Sequence, residues 1–197
     1  MARRRVESMA ENREKLIRAA RHAFATQGFV AASMDELTAT AGLTRGALYH
    51  AFGDKKGLLW AVVEQIDAEM VERLRHVRER ATDVWHALLD ESVAYIEMAL
   101  EPEIQRIMLL DGPAVLGDPS RWPGQNACLQ LTQGMIQSLI DDGIVKPVDP
   151  EAAARLLNGA ALNAALWIAA SEHPEAEMRK AVQAFLELST GLLERDG

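Results

Sequence analysis

Apolar residues recur along this chain at intervals of three and four, and the strict alternation of a half-buried strand is missing throughout. The pattern predicts an all-α protein with strand content close to nil. A first helix is expected from about Asn12 to Thr26, with Leu16, Ile17, Ala20 and Phe24 on one face. Gln27-Gly28-Phe29 ends it. A second helix is expected to start at Ser33, where Ser33-Met34-Asp35-Glu36 has the form of a capping box. Met34, Leu37 and Ala41 face inward, and Gly42 stops the helix. Leu43 spaces a short turn, and Thr44 is the expected N-cap of a third helix from Arg45 to about Ala51, anchored by Leu48. Phe52-Gly53 closes it. Asp54 then caps a fourth helix reaching about Arg80, with Leu58, Leu59, Val62, Val63, Ile66 and Met70 as its stripe and a charged, solvated stretch from Glu69 onward.

Five more helices bring the expected total to nine. One spans about Asp83 to Leu100, and Pro102 marks its end. Another runs from Glu103 to about Leu110. Three prolines and three glycines between Gly112 and Gly124 predict a long loop, with room for a helical turn. A seventh helix covers about Gln125 to Asp142. Asp149-Pro150 opens an eighth, reaching about Ala170, and Pro174 opens a ninth, reaching about Glu194.

Composition changes this picture little. With 49% apolar and 25% charged residues in 197, the chain suits one or two folded domains. No run approaches the roughly 18 apolar residues of a membrane span, and no apolar segment follows Arg3-Arg4-Arg5, so a secretory leader is not expected. A single cysteine, Cys128, makes no intrachain disulfide, which suits the cytosol. Charge changes more. The net of −8 argues against a nucleic-acid partner, yet residues 1–60 carry ten Lys/Arg against six Asp/Glu, a net of +4, and the remainder is −12. Either this is local composition, or a basic head on an acidic body meets phosphate.

The motif that favours the second reading is residues 33–57. Two short helices, separated by Gly42-Leu43-Thr44, have the spacing of a helix-turn-helix, whose second helix enters the major groove. Arg45, in the first turn of that helix, can pair bidentately with guanine O6 and N7. Gly46 lets backbone lie close to a base edge or phosphate. Thr44 suits a thymine methyl or a phosphate. Tyr49 and His50, a turn on, and Lys55, at the start of the fourth helix, reach the sugar-phosphate backbone. Ser33 and Thr38 are further backbone candidates. Arg3, Arg4 and Arg5 form either a minor-groove arm or a basic tail with loose phosphate contacts. Tyr49 packed against the first helix and His50 merely exposed are the plainer alternatives.

Over about residues 12–60 the chain closely resembles the N-terminal domain of the tetracycline-repressor (TetR) family. The resemblance is specific in the order and spacing of Ser33-Met34-Asp35-Glu36-Leu37, Ala41-Gly42-Leu43-Thr44-Arg45-Gly46-Ala47-Leu48-Tyr49-His50-Ala51-Phe52 and Asp54-Lys55-Lys56-Gly57. It implies a nine-helix, all-helical, usually dimeric protein. A three-helix DNA-binding domain, residues 1–54, would precede a larger ligand-binding and dimerisation domain, residues 55–197. It supports Thr44, Arg45, Gly46, Tyr49, His50 and Lys55 as DNA contacts.

In the body, Ala153, Leu156, Leu157, Ala160, Ala161, Ala164, Trp167 and Ile168 make the eighth helix apolar over a wide arc, and Met178, Val182, Phe185, Leu186 and Leu192 mark the ninth. Such helices need cover on two sides, from a second subunit or from the monomer's own core. The resemblance implies a homodimer through these two helices, as a four-helix bundle. Trp85, Tyr95, Met98, Met135, Asn163 and Trp167, with Met108, Asn158 and loop residue Trp122, either form plain core or line a small-molecule site. The acidic body favours a neutral or cationic apolar effector. Enzyme signals are poor: Cys128 lacks an activating arrangement, no metal-ligand pair exists among the five histidines, and phosphate-binding glycine loops are missing, so neither metal nor cofactor is expected. The expected function is operator binding with release by an effector. Activation, or regulation without a ligand, is the alternative.

Overall fold

Nine α-helices form among the described residues: α1 (Ala2–Gln27), α2 (Met34–Ala41), α3 (Arg45–Phe52), α4 (Lys55–Arg80), α5 (Val84–Glu97), α6 (Gly112–Leu116), α7 (Pro123–Asp141), α8 (Pro150–Ala169) and α9 (Pro174–Ser189). The structure, a computed structural model, describes residues 2–194, with side chains from Ser8 onward except at residue 123. The side chains of Arg3, Arg4 and Arg5, and with them the proposed arm, therefore lie outside the described residues. Among the described residues no helix is long and apolar enough to cross a membrane. Extended pairing there amounts to one bridge, Val145 with Leu193.

The caps explain most boundaries. Asp83 and Asp149 accept from the N–H groups of His86 and Ala152 at 2.9 and 2.7 Å, fixing the starts of α5 and α8. Asp54 does the same for Gly57 at 2.7 Å, ahead of α4. Ser33 has the extended backbone of an N-cap, but its side chain makes no cap hydrogen bond, so the expected capping box does not close.

Four expected boundaries differ. α1 begins ten residues early, because Ala2 to Glu11 contains no breaker and is rich in helix formers. Residues Ile104–Asp111 form a π-helix rather than an α-helix, with the Gly112 N–H bonded to Ile107 O. Pro113, which lacks an N–H, cannot continue the ordinary ladder there. The expected loop beyond it holds α6 and a 3₁₀ turn, Pro119–Arg121. α9 stops at Ser189, and a 3₁₀ turn follows, after which Glu194 N bonds to Ile144 O at 2.9 Å.

By packing the chain divides into two compact units, Met1–Asp67 with Pro102–Gly117, and Ala68–Glu101 with Asp118–Gly197. These bounds differ from the sequence expectation of 1–54 and 55–197. The reason is polar as well as apolar. In the first unit Arg21 forks onto Glu103 at 2.6 and 2.7 Å, and Phe29 N donates to Asp111 at 2.7 Å. Ile104, Ile107 and Met108 are buried, as are Leu16, Ile17, Ala20 and Phe24 of α1 and Leu58, Leu59, Val62 and Val63 of α4. The periodicity read these α1 and α4 faces correctly. In the second unit Leu88, Ile136, Leu139, Val145 and Ala154 form the buried core, with Trp85 packed against it.

Candidate nucleic-acid interface

The first unit builds a reading head from two short helices and a tight turn. Gly42 takes φ +66° and ψ 32°, a left-handed conformation that costs a residue with a Cβ. It lets Gly42 N bond to Ala39 O at 3.0 Å and Leu43 N to Thr38 O at 2.9 Å, the paired bonds of a Schellman stop. Thr44 follows in extended conformation, and its hydroxyl accepts from Ala47 N at 3.2 Å, so α3 starts where the sequence predicts. Of the eight residues of α3, Leu48 is fully buried and holds the helix to its unit. Arg45, Gly46, Tyr49 and His50 are exposed, Tyr49 to 51%.

The structure therefore brings Thr44, Arg45, Gly46, Tyr49 and His50 together on one outward face. A Cβ built on Gly46 would meet only the Thr44 hydroxyl, at 3.7 Å, so the fold itself does not require glycine there. Lys55 is placed differently from the expectation. Its ammonium lies 4.6 Å from the centre of the Phe29 ring and donates to Val30 O at 3.3 Å. Burial pushes its pKa down, against the pull of Asp111. Lys55 thus clamps the turn after α1. The expectation for Thr38 is corrected: it is buried, and its hydroxyl donates to Met34 O and Asp35 O at 3.0 and 3.1 Å, back into its own helix. Ser33 is half-buried at the start of α2.

Two residues of this head escape sequence reasoning. Asp35, on α2, forms a forked ion pair with Arg45, donated from the arginine Nε and one Nη. The pairing holds the Arg45 pKa above its ordinary value. The two lie ten positions apart, on different helices, so no local spacing announces them. Arg13 of α1 has its guanidinium 5.1 Å from the centre of the Phe52 ring, at the end of α3.

The second unit holds a cavity of about 50 Å³ lined by Leu74, Leu88, Glu91, Ser92, Tyr95, Cys128, Thr132, Met135 and Asn158, among others. Of the six expected ligand residues it gathers Tyr95 and Met135. Asn158, noted beside them, accepts from the Thr132 hydroxyl at 3.2 Å. The other four are elsewhere. Met98 is buried, in the 3₁₀ turn that follows α5. Trp85 is half-buried and packs against the core cluster. Asn163 and Trp167 are exposed on α8, Trp167 to 48%, because their helical phase turns them away from Ala161 and Ala165 on the buried face. Trp122 is buried. Glu91 brings a carboxylate to the cavity wall, where Arg78 donates to both its oxygens at 2.8 and 2.9 Å. Burial nevertheless pushes its pKa up.

Two short helices joined by a tight glycine turn, the second with Arg45, Gly46, Tyr49 and His50 exposed around one buried leucine, have the form of a helix-turn-helix. The model of the tetR family of bacterial regulatory proteins matches residues 16–62, and that of the tetracyclin repressor-like C-terminal domain matches residues 85–192. The chain belongs to the TetR family of transcriptional regulators. A solved TetR-family transcriptional regulator from Pectobacterium atrosepticum is 49% identical, with a TM-score of 0.88, over 97% of this chain and 98% of that one. The Tn10 transposon TetC protein from Escherichia coli is 27% identical over 158 residues, 78% of each chain. The HTH-type transcriptional repressor AcnR of Corynebacterium glutamicum is 29% identical over 100 residues, 51% of this chain and 52% of AcnR. Membership makes the chain a DNA-binding regulator and not an enzyme, with operator DNA as partner and dimerisation typical of the family.

Proposed function

We propose that the protein is a cytoplasmic repressor that holds its operator as a homodimer and releases it when a small molecule enters the second unit. The observation that carries the DNA half is the face of α3, where Arg45, Gly46, Tyr49 and His50 point outward around one buried anchor, Leu48. Thr44 and Lys55 flank this face, Lys55 with part of its hydrogen-bonding capacity committed to Val30. Two such helices would enter successive major grooves, with half-sites about 34–36 Å apart.

The dimer is assigned to α8 and α9. Leu156, Trp167 and Leu188 are 75%, 48% and 79% exposed, and an apolar groove lined by Ala152, Leu156, Ala160, Phe185 and Leu188 runs between the two helices. A surface of this kind is costly to leave in water and suits a self-complementary interface.

The effector site is assigned to the cavity of Tyr95 and Met135. The acidic body favours a neutral or cationic apolar compound, while the Glu91 carboxylate on the cavity wall is already paired with Arg78. At about 50 Å³ the cavity admits a few waters rather than a drug-sized molecule, so an effector must bind a more open state, and that differential affinity is what would move the equilibrium. The functional division remains a DNA-binding head, residues 1–54, and a ligand-binding and dimerisation body, residues 55–197, with α4 belonging to both packing units.

The small cavity also favours a second reading, a regulator or activator of the same fold without a ligand. Thermal melting against a library of apolar amines and uncharged aromatics separates them, since a true effector raises the melting temperature with concentration. The DNA half is tested by Arg45→Ala. It should lose roughly 1–3 kcal/mol on the specific duplex and relax one base position. Equal binding by wild type and variant on specific and random duplexes would refute it.

A further inference from the structure

We propose that Asp35 is a positioning residue for base readout, gripping one edge of the Arg45 guanidinium so that the other edge faces guanine. The inference rests on the reading of Arg45 as the base-reading residue of α3. The fork from Arg45 to Asp35 uses Nε–H and one hydrogen of Nη2, bound to Oδ1 and Oδ2 respectively. It leaves the opposite edge, Nη1 and the second Nη2 hydrogen, with two parallel donors. That edge has the geometry that matches guanine O6 and N7. An unrestrained arginine must give up rotamer freedom to present the same edge, so a side chain already gripped loses less on binding.

Stability does not account for the pair. Both side chains are exposed, to 57% and 64%, and such surface pairs add little to folding. Helix electrostatics does not require it either, because Glu36 also supplies a carboxylate in the first turn of α2. In a DNA-binding head, moreover, a carboxylate beside the recognition helix repels phosphate and weakens binding to every sequence. The arrangement makes sense as discrimination: Asp35 lowers affinity for random DNA and sharpens the orientation of the one arginine that reads a base.

The test selects duplexes from a randomised library with wild type, Asp35→Asn, Asp35→Ala, Arg45→Ala and Arg45→Lys, then measures affinity for the selected and a scrambled duplex. Wild type should select a guanine that Arg45→Ala abandons. Asp35→Asn and Asp35→Ala should lose preference for that same guanine on the order of tenfold, while binding the scrambled duplex at least as tightly as wild type. Arg45→Lys keeps the charge without the fork and should lose the same preference with Asp35 untouched. That loss speaks to Arg45 alone. If the helical signal of the Asp35 variants falls, Asp35→Asn in the Arg45→Ala background decides, because positioning predicts no further loss of preference at the other positions there, and a further loss marks a structural role and overturns the proposal. If the Asp35 variants, or Arg45→Lys, keep the wild-type preference at the position Arg45→Ala abandons, positioning is overturned and the reading of Arg45 survives. If Arg45→Ala itself keeps the preference, that reading fails and the inference with it.

Discussion

At α3 the side chains divide by what the fold needs from them. Leu48 is wholly buried and serves packing; Arg45, Tyr49 and His50 are exposed and are not needed to hold the helix in place. Gly46 is the most telling position, because a methyl group there would sit at ordinary contact distance from Thr44 and clash with nothing else. Gly46→Ala should therefore leave the melting temperature unchanged or slightly higher, helix propensity favouring alanine by about 1 kcal/mol. It should cost DNA affinity on the order of tenfold if backbone approaches the duplex at this point. Melting and fluorescence anisotropy on one preparation check both halves. A variant with unaltered affinity removes Gly46 from the interface. For Arg45 exposure was legible in the sequence, because a residue in the first turn of a short helix anchored by Leu48 turns outward, whereas for Tyr49 the sequence left packing against the first helix open and the structure leaves it exposed. The fates of Thr38 and Lys55 were not legible. A threonine hydroxyl bonding back to its own helix and an ammonium stacked on Phe29 depend on neighbours that the linear sequence does not order.

At the scale of elements, the junction between α3 and α4 is set by close approach. A Cβ on Gly57 would lie 2.0 Å from the Phe52 carbonyl oxygen, a backbone atom that cannot swing away. Gly57→Ala should destabilise the head by roughly 1–3 kcal/mol, the usual cost of overpacking, and lower DNA affinity as a consequence. Urea unfolding measures it, and a stability equal to wild type would mean the junction is looser than its geometry implies. Helix starts were the most readable elements, since Thr44, Asp54, Asp83 and Asp149 cap by local chemistry. The π-helix Ile104–Asp111 was unreadable, because eight residues do not separate its period from that of an α-helix. So was its membership of the first unit, which rests on Arg21–Glu103 and Phe29–Asp111, each spanning 82 positions.

For the whole molecule, the consequential surface is the exposed apolar stripe of α8 and α9. The sequence pointed to it by making α8 apolar over a wide arc, though it also grouped Asn163 and Trp167, which the single chain leaves exposed, with the candidate ligand residues. Joint replacement of Leu156 and Leu188 by glutamate should halve the mass seen by light scattering and preserve helicity, since both side chains already face water in the single chain. A double variant that remains a dimer would move the interface elsewhere. Loss of the dimer should also weaken operator binding steeply, because each head would then bind alone.

The central claim, that paired α3 helices read duplex DNA from a basic head on an acidic body, is met most directly by footprinting the DNA upstream of the protein's own gene across a salt series. Two protected major-groove segments are predicted, one helical turn or a multiple of it apart, with log affinity falling linearly against log salt and with both footprints lost in Arg45→Ala. A protein that leaves this DNA unprotected at low ionic strength, or an Arg45→Ala variant whose footprints match the wild type, would contradict it.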